Sequence, residues 1–197
     1  MGNPRARFDH QFASWLAAFK SRSENPEMMW MEGATAEEIN QLEQAAGQIP
    51  PDLRRLLLTH NGQDQKATPL HFVNRLLSCE EIIHESTELQ EINADVGLSP
   101  GEIDGTTPIE EAAWWHKNLL LFLSDDNGGG VAVDRQTGAV WDWDHDGGLF
   151  GQLAPDIGTF FEWMCLALKE GRYEKEEPIY YPELDPAKVE SQETTAE

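Results

Sequence analysis

Positive charge is scarce in this 197-residue chain and absent from a long central stretch. Lys and Arg number 14 against 36 Asp and Glu, which gives a formal net charge of −22. Between Arg75 and Lys117 there are ten acidic residues and no Lys or Arg. Because such a field repels phosphate, we expect neither direct nucleic-acid binding nor attachment to an anionic membrane. Either a solvated face that serves solubility or a positively charged protein partner explains the excess, and we favour the partner.

Cysteine and long apolar runs are scarce as well. Cys79 and Cys165 are the two cysteines, so a disulfide framework is not expected. No stretch approaches the roughly 18 apolar residues of a membrane-spanning helix, and the N-terminus has no apolar run typical of a secretion signal. We therefore expect a cytoplasmic protein. Its 40% apolar content is still high enough for a hydrophobic core in one globular domain.

Sequence signatures of catalysis and of cofactor binding are missing too. The six histidines show no H-E-x-x-H spacing, and no cysteine pair could build a zinc site. Ser124 lacks the G-x-S-x-G elbow of a nucleophile. The run from Asn127 to Gly130 is not followed by the Lys and helix of a phosphate loop, and we interpret it as a flexible turn. We predict that the protein is not an enzyme and uses no catalytic residue and no cofactor.

One short motif could present carboxylates to a cation. Asp142, Asp144, Asp146 and Gly147 form D-x-D-x-D-G, the first half of a calcium loop. The twelfth position of such a loop, which needs a bidentate Glu, is Leu153 here. The surrounding pattern is also strand and turn rather than helix and loop. We therefore predict a polar hairpin turn and no metal site.

The segment 33–62 predicts two short helices with a stop between them. Thr35 and Glu38 have the spacing of a capping box, so the first helix is predicted to begin directly after Thr35. Gly47 suits the end of that helix, and Pro51 suits the first position of the next. Each helix has a single apolar face. Both are therefore predicted to pack against a larger element.

Aromatic residues at helical spacing predict a further helix from about Asp9 to Lys20. Its apolar face can belong to the core or can bind a partner. The face consists of Phe8, Phe12, Trp15, Leu16 and Phe19. The following MMWM segment, Met28 to Met31, is predicted to pack under the helices that begin near Gly33, with an adaptable Met-rich binding surface as the alternative.

Apolar runs in the second half of the chain predict an antiparallel sheet. Leu119–Leu123 is continuous and typical of a central strand covered on both faces. Val131–Val133 and Ala139–Trp143 follow as a hairpin, and Leu149–Leu153 adds another strand. A one-sided helix from about Asp156 to Gly171 is predicted to cover one face of this sheet. The predicted fold class is α+β, an antiparallel meander with helices packed around it.

These motifs, taken in order, resemble the SUKH superfamily, which includes fungal regulators of cell-wall glucan synthesis and many bacterial immunity proteins of toxin systems. The resemblance rests on GATAEEINQLE, IPPDLRRLL and HNG within 33–62, on LSCEEI from Leu77, and on the stretch from Leu119 to Trp141. It implies the SUKH-like fold and a binding protein. Immunity by stoichiometric docking on a cognate toxin is the first interpretation. The alternative is a regulatory scaffold that binds several endogenous proteins.

The resemblance also divides the chain. Residues 1–32 are predicted to be a helical extension packed on the domain, 33–172 the SUKH-like domain, and 173–197 an acidic, proline-containing tail that is partly disordered. His60 stands where an aromatic residue commonly precedes Asn-Gly in this family, and the segment from Asn93 to Ala113 is long. These departures are where a specific function could differ.

Charge and resemblance together predict an acidic docking surface for a basic toxin, for example a nuclease. Exposed ion pairs contribute only roughly 0.2 to 1 kcal/mol each, so the carboxylates should mainly raise the association rate while exposed aromatics anchor the complex. The candidate partner-binding residues cluster around the turns of one hairpin region. They are Asp125, Asp126, Asp142, Asp144 and Asp146, followed by Glu110 and Glu111.

Overall fold

A five-stranded antiparallel sheet forms the centre of the computed structural model, which describes residues 4–22, 29–67, 74–95, 108–112 and 114–169. The strands lie side by side in chain order: β1 (Arg75–Leu76), β2 (Leu119–Ser124), β3 (Gly129–Asp134), β4 (Val140–Asp144) and β5 (Gly148–Ala154). Every residue of β2 and β3 is buried, as expected of central strands. The predicted meander is confirmed, and the short β1 is added to it.

Helices pack around this sheet, which confirms the predicted α+β class. They are α1 (Pro4–Arg22), α2 (Ala36–Ala46), α3 (Pro51–Thr59), α4 (Cys79–Asp95) and α5 (Ile157–Lys169), with a short 3₁₀ helix, η1 (Ile109–Glu111), before β2. The ring of Phe160 on α5 lies 6.5 Å from that of Phe122 on β2, which joins helix and sheet in one core. None of the helices in the described ranges has the length and apolar character needed to span a bilayer.

Local chemistry sets the start and the end of α2 as predicted. The Thr35 hydroxyl accepts a hydrogen bond from the Glu38 backbone N–H at 3.2 Å, and the Glu38 carboxylate accepts one from the Thr35 N–H at 2.7 Å. Gly47 follows the last turn of α2 with φ of 81°, a value that favours glycine. The capping box and the stop are therefore confirmed.

The aromatic face of α1 belongs to the core. The Phe12 ring lies 4.9 Å from Phe161 of α5, and the fully buried Trp15 lies 5.2 Å from the same ring. At the edge of this contact Arg7 donates a hydrogen bond to the Thr159 hydroxyl at 3.0 Å. The helix is longer than predicted, but its stripe packs on α5 instead of facing a partner.

Packing of the MMWM segment differs from the prediction. Trp30 is partly buried and stacks on His60 with ring centroids 4.3 Å apart. Met29 and Met31 are exposed, so the prediction that they pack under the following helices is wrong. The segment is instead held by its backbone, because the Met31 N–H donates to the Gly62 carbonyl at 3.1 Å.

The glycine run after Asn127 is only partly a turn. Gly129 and Gly130 are buried residues of β3. A Cβ on Gly130 would lie 2.3 Å from the Leu123 carbonyl oxygen, so glycine is required there for the close approach of β2 and β3. The prediction of a flexible turn is wrong for these two residues.

Several predictions concern residues outside the described ranges. These are the tail 173–197, Met28, the end of the closing helix beyond residue 169, and residues 96–107 and 113 of the long segment before β2. The three-part division of the chain therefore stays a prediction.

Candidate protein-binding surface

Two hairpin turns meet at one end of the sheet. The β4–β5 turn is tied to the β2–β3 turn because the His145 N–H donates to the Gly128 carbonyl at 2.8 Å. Gly129 pairs with Asp144 in the β3–β4 register. A Cβ on Gly129 would lie 3.0 Å from Asp125 Oδ2 and 3.4 Å from Asp144 Oδ2, so these two carboxylates flank the same glycine. The fold thus brings together side chains that come from different hairpins.

Backbone hydrogen bonds hold these carboxylates in place. Asp125 Oδ1 accepts from the N–H groups of Asn127 at 2.7 Å and Gly129 at 2.9 Å. Asp144 Oδ1 accepts from the Asp146 N–H at 2.8 Å. Each turn therefore orients its own carboxylate before any partner arrives, which lowers the entropy lost on binding.

Asp126 is engaged within the molecule. Nε and Nη2 of Arg75 donate to its two carboxylate oxygens, both at 2.8 Å, and Arg75 also pairs with Glu81 at 2.8 Å. The Arg75 side chain is only 7% exposed, and the bidentate hydrogen bond to Asp126 raises its pKa above the ordinary value. This ion-pair cluster joins β1, α4 and the β2–β3 turn. Asp126 therefore has a structural role, while its part in binding stays a prediction.

Asp142 is partly buried in the middle of β4. It pairs with Val131 of β3 on one side and Gly151 of β5 on the other. Burial raises the pKa of Asp142 to about 6, and the nearby charge of Asp144 acts in the same direction. Keeping this group ionised at neutral pH costs folding free energy that a positive partner could offset.

Glu110 and Glu111 lie on η1, which contacts β5. Glu111 is exposed, whereas the side chain of Glu110 lies outside what the structure describes. Beyond η1, the Trp114 indole N–H donates to the His145 carbonyl at 2.9 Å, which links this segment to the β4–β5 turn. The sequence alone could not show that link.

An exposed aromatic that we did not predict stands beside the turns. Phe150 of β5 is 56% exposed, more than any other large apolar side chain in the described residues. Its ring lies over Gly147, where a Cβ would be 2.6 Å from the ring edge. A Phe three residues beyond the Gly of the D-x-D-x-D-G motif was the available signal. We call Asp125, Asp144, Asp146 and Phe150 the turn surface.

Asp144, His145 and Asp146 could also be viewed as metal ligands, since one donor atom from each lies within 4.8 Å of the others. The same groups are partly or fully exposed and are used by the turn: His145 Nδ1 lies 3.2 Å from the Gly128 carbonyl oxygen. The hydrogen bonding of the hairpin explains this arrangement, and we assign no metal to it.

Comparison with known proteins identifies the family. The sequence model of the SMI1 / KNR4 family (SUKH-1) matches residues 33–163, which is more than half of the chain. The chain belongs to this family. The matched range begins with the capping box of α2 and ends within α5, so it contains the sheet and the turn surface.

A fungal relative supports the same assignment. The chain is 34% identical over 94 residues to a glucan synthesis regulatory protein of Neurospora crassa. The matched residues make up 45% of this chain and 18% of that protein, so the chain spans about a fifth of the relative's length. The SUKH resemblance drawn from the sequence motifs is therefore confirmed.

Proposed function

We propose that this SUKH-1 protein is a cytoplasmic immunity protein that neutralises a basic toxin by one-to-one docking, without catalysis. The observation that carries the proposal is the turn surface, where backbone N–H groups orient the carboxylates of Asp125 and Asp144, and where Asp146 and Phe150 are exposed. Carboxylates steer a positively charged partner toward this end of the sheet, and the aromatic ring provides the apolar anchor. A basic nuclease fits this surface, because the carboxylates then compete with nucleic acid for its cationic groove.

A regulatory scaffold is the second candidate. It is favoured by the Neurospora relative, whose name describes a regulator of glucan synthesis. The same acidic surface would then bind several endogenous proteins, and no toxic activity would be neutralised. The two candidates share the interface and differ in the partner.

The test combines capture of the partner with a charge-removal variant. A triple change of Asp125, Asp144 and Asp146 to Asn removes three charges but keeps the side-chain oxygens that accept the turn hydrogen bonds. We expect its association rate constant with the captured partner to fall at least tenfold at low salt, with a flatter salt dependence. The matched control changes three exposed glutamates away from the turns to Gln, namely Glu32, Glu37 and Glu80. It should change the rate less than twofold.

The two functions are separated by the partner's effect on cells. For immunity, expression of the captured partner alone should arrest growth, and co-expression of this chain should restore it. The triple variant should protect less well. If several non-toxic partners are captured instead, the scaffold is correct. Unchanged association at low salt would remove the turn surface from the interface.

A further inference from the structure

A groove of about 420 Å³ lies between α4 and the sheet and opens beside the β4–β5 turn. Carboxyl groups from α4, an apolar floor and two indole rings line it. The residues that matter here are Glu85, Glu88, Leu89, Trp114, Trp143 and His145. His145 belongs to the turn that carries Asp144 and Asp146, so the groove is continuous with the turn surface.

Glu85 is the half-buried acid of this groove. Among the residues that the structure describes, it has neither a hydrogen bond nor an ion pair. Burial raises the pKa of Glu85 above its usual value, and the charges of Glu88, Asp126 and Glu81 add to this effect while His84 opposes it. The guanidinium group of Arg75 is already shared by Asp126 and Glu81. A positive group that entered the groove would therefore relieve desolvation and repulsion together.

The indole rings form a fixed wall. The Trp143 N–H donates to the Trp114 carbonyl at 3.0 Å, and the Trp114 N–H donates to the His145 carbonyl at 2.9 Å. The two rings lie edge to face, with centroids 5.5 Å apart. Long cationic side chains bury their aliphatic part along apolar surface, and a ring already held in place loses little entropy on binding.

We propose that this groove receives a Lys or Arg side chain of the protein partner, with the cation beside Glu85 and Glu88 and its aliphatic part against the indole wall. The proposal rests on the proposed function, because it names the chemistry by which the basic partner is recognised. Charge complementarity decides the occupant. The chain's own segment 96–107 carries Glu102 and Asp104 and no Lys or Arg, so it would add like charge to the groove.

The experiment uses a defined peptide in place of the partner. Acetyl-Gly-Gly-Arg-Gly-Gly-amide is titrated into the full chain at low salt, and the indole N–H resonances are followed by NMR. A peptide with neutral citrulline instead of Arg is the ligand control. We expect the Arg peptide to shift the resonances of Trp114 and Trp143 and to bind at least tenfold more tightly than the citrulline peptide.

Variants of the chain locate the binding. The double change Glu85→Gln and Glu88→Gln should weaken Arg-peptide binding at least tenfold, whereas the charge-matched change Glu32→Gln and Glu37→Gln should alter it less than twofold. Loss of like charge should leave the groove variant folded, which circular dichroism and the dispersion of the indole resonances check. Equal binding by the groove variant, or equal binding of both peptides, would overturn the proposal.

Failure of the groove and failure of the proposed function give different results. The peptide titration needs no toxin. It therefore tests whether the groove binds an Arg side chain even where the captured partner causes no growth arrest. With the captured partner, the groove variant should raise the dissociation rate at least fivefold, whereas the turn-surface variant should lower the association rate. If the groove variant leaves the dissociation rate unchanged, the groove proposal is contradicted and the proposed function is not.

Discussion

Replacing Asp142 by Asn is expected to stabilise the protein, and the gain should depend on pH. The carboxyl group of Asp142 is desolvated in β4, where its pKa rises from the reference value of 3.8 to about 6. At about 1.36 kcal/mol for each pKa unit, ionisation at neutral pH lowers the free energy of unfolding by about 3 kcal/mol. Asn has nearly the same shape and cannot ionise, so the variant should avoid this loss.

The direction of the pH dependence follows from proton binding. In the unfolded chain Asp142 ionises above about pH 4, but in the folded protein it keeps its proton until about pH 6. The folded state therefore binds more protons in this window, and the stability of the unchanged protein falls as pH rises through it. The gain in free energy of unfolding of the Asn variant should be near zero below pH 4 and close to its full value above pH 7.

Urea denaturation followed by tryptophan fluorescence at pH 4 and pH 7.5 measures the difference. Asp146→Asn is the matched control, because that side chain is 87% exposed on the adjacent turn and its change should stay within about 0.5 kcal/mol. A variant that is no more stable than the unchanged protein at pH 7.5 would refute the reasoning. An equal gain in stability at both pH values would refute it as well.

Two further substitutions test the interior of the same region by urea denaturation at pH 7.5. Arg75→Met should lower the free energy of unfolding by about 3 kcal/mol, because Glu81 and Asp126 would lose their shared cation, and Arg75→Lys should lose less. An Arg75→Met protein as stable as the unchanged protein would show that this ion-pair cluster does not contribute to stability. Gly130→Ala should cost about 2 to 3 kcal/mol because its Cβ would overlap a neighbouring backbone carbonyl. A Cβ added at Gly138 would meet open space, so Gly138→Ala should lower the free energy of unfolding only through its φ of 85°, by about 1 kcal/mol. Equal losses of stability at both glycines would contradict the close approach of β2 and β3.

Features set by neighbouring residues could be predicted from the sequence. The capping box of Thr35 and Glu38 uses atoms three residues apart, and the continuous apolar run of β2 reports burial on both faces directly. A second capping box, between Ser78 and Glu81 at the start of α4, has the same spacing and could have been predicted in the same way. Most helix starts and the meander could therefore be predicted from local sequence.

Contacts between distant segments could not be predicted in this way. The two-residue β1 has no periodicity, so nothing in the sequence pointed to Arg75 as the partner of Asp126, 51 positions away. The sequence pattern of β4 likewise gave no measure of how far Asp142 is desolvated. The groove also depends on the fold bringing residues of α4 and Trp143, more than fifty positions apart, to line one cavity. Charge counts alone treated all these carboxylates as equivalent, whereas the fold gives each a different environment.

That difference in environment separates the two explanations of the acidic excess. Solubility is served equally well by carboxylates that stay fully hydrated, and it gives no reason to bury any of them. Asp142 and Glu85 are partly desolvated, and both pKa values are raised, so each lowers stability at neutral pH. Glu85 lines the groove beside the hairpin turns, whereas Asp142 lies in the middle of β4, between Trp141 and Trp143. The loss of stability at Glu85 fits the proposed docking of a cation in the groove, because a positive group bound there would offset the cost of ionising the carboxyl group.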